Sequence, residues 1–445
     1  MSTQRDGVDD SAAAVQLGDA GLGERQPLRG RGRGRGRSRR QASTRAVSVA
    51  AVAAAVALVL GATTLLRIAP SEPLPADVPF EALHLPSVVN PPGTWSDDEG
   101  PTGPLASLGL AIRTEPEGLT GERQQLQMFG VSAVDGRSAW IDLPGVRVED
   151  EALLGWFALS PDGRWIGWSR HERTEQLGEP APLLGWAVMD TTTRRVRELA
   201  DPAAAELRDT ASELVFSGDS RYLLTSYERP NSPQRRGHRF VAWDVEDGTP
   251  TALEEPGHHW LPSPGSAPAG VVWSRGSTVY REAPATGERS SYPLPRDVVT
   301  ASWAPDDTAF AYIGHPDGRS RAPWRLYAGR TLDEARDHAL PLPAGMHPSQ
   351  LLGWRDDRHV VVGHFRTTVH VVDVVSGDVE ELDLAGYGEP MNAPLLATDL
   401  WRNPLGEPVE PEGTTDPRRP FRWGGGALLA LLAGASMLRR RRANA

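Results

Sequence analysis

The chain has 445 residues, 39% of them apolar, with 14 tryptophans and no cysteine; that supports a packed core and excludes disulfides, thiolate metal sites and a cysteine nucleophile. All 47 basic residues are arginine, which removes Schiff-base and lysine-base chemistry and fits coding bias in a high-GC bacterium. Residues 1–45 hold ten Arg against five acids, Arg67 adds one and Arg422 with Arg439–Arg442 adds five, so the total of −11 leaves −22 on residues 68–421. An acidic middle argues against nucleic acid as its partner, since phosphate binding needs a basic face.

In chain order, 1–45 is expected to be a disordered, Arg-rich cytoplasmic tail. Its run "RGRGRGRSRRQASTR" could bind anionic lipid or nucleic acid, but its place beside an apolar segment favours a topology signal. That segment, Ala46–Leu66, is 21 uncharged residues between Arg45 and Arg67. At about 1.5 Å per residue it spans roughly 30 Å, a bilayer's hydrocarbon thickness. The expectation is a transmembrane helix at 46–68 with the N-terminus inside. A cleaved export signal is the alternative, kept open by Arg39-Arg40. Residues 69–104 are rich in Pro and acid and read as a semi-rigid stalk.

Residues 105–402 carry a repeat. "LSPDGRWIGWS" from Leu159, "FSGDSRYLLTS" from Phe216, "WAPDDTAFAYI" from Trp303 and "WRDDRHVVVGH" from Trp354 align on Asp162, Asp219, Asp306 and Asp357, at steps of 57, 87 and 51 residues. A degenerate copy, "HHWLPSPGSAPAGVVWSR", lies inside the long step. A second turn recurs at Asp247-Gly248, Thr286-Gly287 and Ser376-Gly377, and "MDTTTRRVREL" fits the same slot. Asp accepts bonds from amides two residues on, Pro fixes a turn's leading corner and Gly supplies positive φ, so both signals mark strand-linking turns. Each unit reads as four strands, within the period range of propeller blades.

On these residues the chain resembles the TolB-type and WD-repeat β-propeller families. "SPDGRWIGWS" is similar to the TolB-like repeat, and "FVAWDVEDG" and "VHVVDVVSGD" to its outer hairpins; the resemblance covers roughly Ala106–Trp401. It implies an all-β ring that serves as a ligand- or protein-binding platform, and no single activity. Six blades are expected at about 106–148, 151–200, 211–255, 256–296, 298–343 and 349–384, with "APLLATDLW" from Ala393 closing the ring against the first. A seventh arises if "PFEALHLPSVV" supplies a strand.

After a Pro-rich linker at 403–422, Trp423–Leu438 is uncharged and runs into Arg439–Arg442. It is expected to be a second transmembrane helix, with residues 439–445 cytoplasmic. The order apolar stretch then Arg cluster also resembles bacterial surface-sorting tails, although no LPxTG motif precedes it.

No catalytic, cofactor or metal residue emerges. His258-His259 and the set His359, His364 and His370 match no metal-ligand spacing, and "SPDGRW" misses the sialidase Asp-box. There is no GxSxG or HExxH. Neighbouring carboxylates, Asp306-Asp307 and Asp356-Asp357, point to opposite faces of a strand and make a poor glycosidase pair. The expectation is a non-enzymatic, membrane-anchored, extracytoplasmic propeller without cofactor, its partners the bilayer and a protein or cell-wall ligand on one ring face. The alternatives are an envelope carbohydrate-active hydrolase or lyase using carboxylates at the channel mouth, and a transmembrane sensor.

Overall fold

Six β-sheets account for the strands between residues 105 and 396. The computed structural model describes residues 78–411 except 94–95, 97–99, 102, 118–120, 147–156, 172–182, 201–207, 210–213, 229–237, 254–266, 316–323, 365–367, 383 and 386–393, together with 433–434 and 436–437. Segment 46–68 and nearly all of 423–438, the expected membrane helices, lie outside these residues. Among the described residues no helix is long and apolar enough to cross a membrane.

Blade 1 contains β1 (Leu105–Glu117), β2 (Gly121–Ser132) and β3 (Ser138–Ile141). Blade 2 contains β4 (Phe157–Leu159), β5 (Trp165–His171), β6 (Leu183–Asp190) and β7 (Val196–Leu199). In blade 3, β8 (Arg208–Asp209) and β9 (Val215–Phe216) both pair with β10 (Tyr222–Glu228) as a broken inner strand, and β11 (His238–Asp244) and β12 (Pro250–Leu253) follow. Blade 4 shows β13 (Val271–Arg275), β14 (Thr278–Ala283) and β15 (Glu288–Pro293); residues 254–266, which precede them, lie outside the described set.

Blade 5 has β16 (Val298–Trp303), β17 (Phe310–Gly314) and β18 (Arg325–Gly329). Its outer strand shrinks to a bridge between Tyr327 and Ala339, preceded by helix α1 (Leu332–Asp337). Thr331 caps that helix by accepting from Glu334 N, and Glu334 accepts in turn from Arg330 N, the residue before the cap; this capped turn replaces the expected hairpin. Blade 6 has β19 (Pro348–Trp354), β20 (His359–His364), β21 (Thr368–Asp373) and β22 (Val379–Leu382). Finally β23 (Leu395–Leu396) pairs antiparallel with β1 at Leu108 and Ser107. The last strand is thus the inner strand of the first blade, as "APLLATDLW" led us to expect, and the ring closes at six.

Central strands are apolar on both faces because each sheet is covered by its neighbours. In β17, Phe310–Gly314 are all buried, and so are the first five residues of β5. Outer strands alternate instead: Val196–Leu199 and Pro250–Leu253 bury mainly their last leucine, as a strand with one wet face should. Trp140, Trp168, Trp186 and Trp243 are fully buried, filling the wedge between sheets with large rings.

Two expectations need revision. "PFEALHLPSVV" forms a short 3-10 turn at Phe80–Ala82 and single parallel bridges, Pro86 to Gly406 and Val88 to Ala385, so it adds no seventh blade. Residues 78–93, read from composition as stalk, lie against blade 1. Leu83, Leu85 and Val89 are buried there, and Asn403 holds the Phe80 and Leu83 carbonyls. Leu83 and Leu85 alternate inward like strand residues, and that local pattern outweighs the surrounding Pro content.

Candidate site at the channel mouth

Strands within a blade run up and down, so the turn between its first and second strands and the turn between its third and fourth leave at the same end of the ring. Both repeated turns of the sequence therefore sit on one face. In blade 2, Ser160 Oγ donates to Asp162 Oδ1 (2.6 Å) and accepts from Trp165 N (2.8 Å), while Asp162 Oδ1 accepts from Arg164 N (3.0 Å). Blade 3 repeats these bonds with Ser217, Asp219, Arg221 and Tyr222. The arginine that ends each turn then reaches the aspartate closing the third strand: Arg164 to Asp190 (3.1 Å), Arg221 to Asp244 (3.0 Å), and Arg358 to Asp373 in blade 6. Those outer aspartates also cap the second turn, Asp190 accepting from Thr192 N and Thr193 N. The Arg358 guanidinium, with the amides of Val375 and Ser376, outweighs burial and holds the Asp373 carboxyl far below the usual range.

Blade 6 departs from the alignment. Arg355 N bonds His359 O, whereas Ser160 N bonds Trp165 O, so this turn is one residue shorter. Asp356, not Asp357, caps it, accepting from Arg358 N and His359 N at 2.8 Å. Burial pushes the Asp356 carboxyl up, but these amides and the His359 ring bring it below its ordinary value. Asp357 instead accepts Asp306 N of the neighbouring blade (3.2 Å), while Asp306 caps Thr308, whose hydroxyl and amide lower its pKa. Asp307 pairs with Arg281.

The same logic at blade 1 also places Asp399, which the repeat alignment missed. Ala397 N bonds Ala106 O as Ser160 N bonds Trp165 O, and two residues on from Ala397 stands Asp399, where Asp162 stands from Ser160. "LLATD" has the apolar strand and the spacing, but its second strand, β1, lies at the other end of the ring sequence. Neighbouring turns touch around the axis: Asp399 N to Pro161 O (3.0 Å), Asp162 N to Ser220 Oγ (3.1 Å), and Gly218 against Ala267.

Inside this rim is a cavity of about 260 Å³ lined by Asp219, Pro268, Trp303, Trp354, Asp399 and Arg402. It draws on blades 3 to 6 and the closing segment. Asp399 is half-buried, and among the described residues no donor reaches its carboxyl; it bonds through its backbone N and O. Burial pushes it up to about 6, against the pull of Arg402 and with a push from Asp162. The Arg402 guanidinium lies over the Phe80 ring, 4.8 Å from its centre.

The candidate histidines do not assemble. His258-His259 lie outside the described residues, as does the side chain of His364. His359 Nδ1 is 2.8 Å from Asp356, and His370 Nε2 is 3.2 Å from the Thr368 hydroxyl. Among the described residues no group of three His, Cys, Asp or Glu side chains could hold a metal ion.

No protein-family model and no curated protein matches this chain. Among solved structures, one similar chain belongs to "Crystal Structure of Mitotic Checkpoint Complex", with 13% identity over 54% of this chain and 67% of that one, and a TM-score of 0.32. A likeness that slight assigns no role.

Proposed function

We propose that this protein is a non-enzymatic binding module of the cell envelope of a high-GC bacterium. It is held by membrane helices at 46–68 and 423–438, with the ring extracytoplasmic and both Arg-rich ends inside. The observation that carries the binding reading is the contrast at the channel mouth. The repeated aspartates are engaged in capping turns and bridging blades, while a concave site remains beside them. At about 260 Å³ it falls below the roughly 300–1,000 Å³ of drug-sized ligand sites and suits one inserted side chain of a protein partner. The opposed charge of the ends and the middle supports the topology.

Two experiments test this. Protease shaving of intact cells, with tags at both termini, should remove 105–402 and spare both tags; a protected ring overturns the location. A photo-crosslinker at Pro268 should capture an envelope protein that one at Arg289, on the outer strand, does not. Equal or absent capture overturns the mouth as the binding site.

One observation favours the hydrolase alternative: Asp399 holds its proton to about pH 6, as a general acid needs. Turnover of envelope glycan, lost in Asp399→Asn, is the result that reading requires.

A further inference from the structure

In blades 2, 3, 5 and 6 the rim turn is built from one continuous stretch of chain, but at blade 1 the first strand comes from residues 395–396 and the second from 105–117. No covalent turn joins them. The joint is held by Ala397 N to Ala106 O (2.9 Å), Asp399 N to Pro161 O (3.0 Å) and Trp401 Nε1 to Leu352 O (2.9 Å). Asp399 sits in the midst of these bonds. Its counterpart Asp162 accepts from the amide two residues on; at Asp399 the chain turns instead into the 3-10 helix Thr398–Arg402, and among the described residues no amide comes back to the carboxyl. The charged groups facing it are Arg402 on its own helix and Asp162 on the blade 2 turn, with Asp219 across the cavity.

We propose that Asp399 is a proton-operated catch on the ring closure: protonated, it seats the closing segment between blades 1, 2 and 6, and ionised, it loosens that segment and the cavity wall it forms. The proposal does not rest on the ring having any particular ligand. Its sign follows from burial. A carboxyl whose folded value lies above its unfolded one keeps its proton longer in the closed state, so closure weakens as pH rises from about 4 towards the value near 6 and is flat beyond it. Two pH units correspond to about a hundredfold in the closed-to-open ratio.

The test is amide hydrogen exchange on the full chain between pH 4 and 7.5, corrected for intrinsic rates, read at Ala397 and Asp399 with Val188 and Val371 as references inside intact blades. Protection at the two closure amides should fall by up to about a hundredfold relative to the references. In Asp399→Asn it should stay level and match the low-pH wild type. Parallel profiles in the two proteins overturn the proposal. If Asp399→Asn does not fold, Arg402→Gln decides: loss of the neighbouring cation should move the midpoint of the wild-type change upward, and an unmoved midpoint overturns the catch.

Discussion

Blade 2 and blade 1 solve the same problem with different connectivity. In blade 2 a five-residue turn links the first two strands, and its aspartate, serine and arginine satisfy one another locally. In blade 1 the equivalent corner is assembled from the two ends of the ring, and among the described residues no donor reaches the aspartate there. The same residue type at the same place therefore accepts a local amide in one blade and is reluctant to ionise in the other. Whether a carboxylate is a cap or a liability depends on which amide follows it in the chain, more than on where it stands in the ring.

Five substitutions and a pH titration sharpen this contrast. The largest effect is expected at the joint itself: Trp401 is buried to 3% exposure, and Trp401→Ala should cost about 3–5 kcal/mol, read as a lowered denaturant midpoint. Next is Gly163→Val. Gly163 has φ +74°, its carbonyl accepts from Leu105 N, and a Cβ there would lie 2.0 Å from Leu105 O. Strain and clash at this contact between blades 1 and 2 should cost about 3 kcal/mol or more; unchanged stability would break the turn assignment. Gly218→Ala has ordinary φ but meets Ala267 O at 1.7 Å, so it separates crowding from backbone strain.

Ser217→Ala removes a hydroxyl that serves both Asp219 and Tyr222 N in a buried turn. A loss of about 1–2 kcal/mol is expected, seen by thermal melting. Smallest is Arg221→Ala: its guanidinium is over half exposed, an exposed pair contributes little, and the thermal midpoint should barely move. Acid provides a complementary axis. The lowered carboxylates Asp306, Asp356 and Asp373 contribute stability above their unfolded values that is lost as pH falls below about 4. Asp399 acts in the opposite sense. A stability profile with a maximum on the acid side of neutrality, which Asp399→Asn flattens above pH 4, is the combined expectation.

Most of the ring is legible in the sequence because its instructions are local. Ser160, Asp162 and Gly163 lie within four residues, so turn chemistry alone announces the corner, and the spacing of such corners announces blades. Where the determinant is distant, the reading falls short. Asp399 has the right spacing from Leu395–Leu396, but the strand that makes it a corner begins at Leu105. Asp356 and Asp357 are indistinguishable by alignment, since only the shortened turn in the folded ring says which one caps. The helix Leu332–Asp337 is hidden in a unit that elsewhere makes a hairpin, although Thr331 and Glu334 spell its cap. The cavity is invisible for a further reason: Pro268, Trp303 and Trp354 line it only because three blades converge on the axis.

The parallel bridge between Pro86 and Gly406 has a consequence for how the molecule could be rewired. Gly406 N bonds Leu85 O and Ser87 N bonds Gly406 O, so the segments entering and leaving the ring run side by side. A short peptide could join them, and new ends could be opened at Gly345, which has no neighbouring atom within 4 Å of a would-be Cβ. Such a circular permutant would keep every blade yet tie blade 1 to its inner strand through the chain.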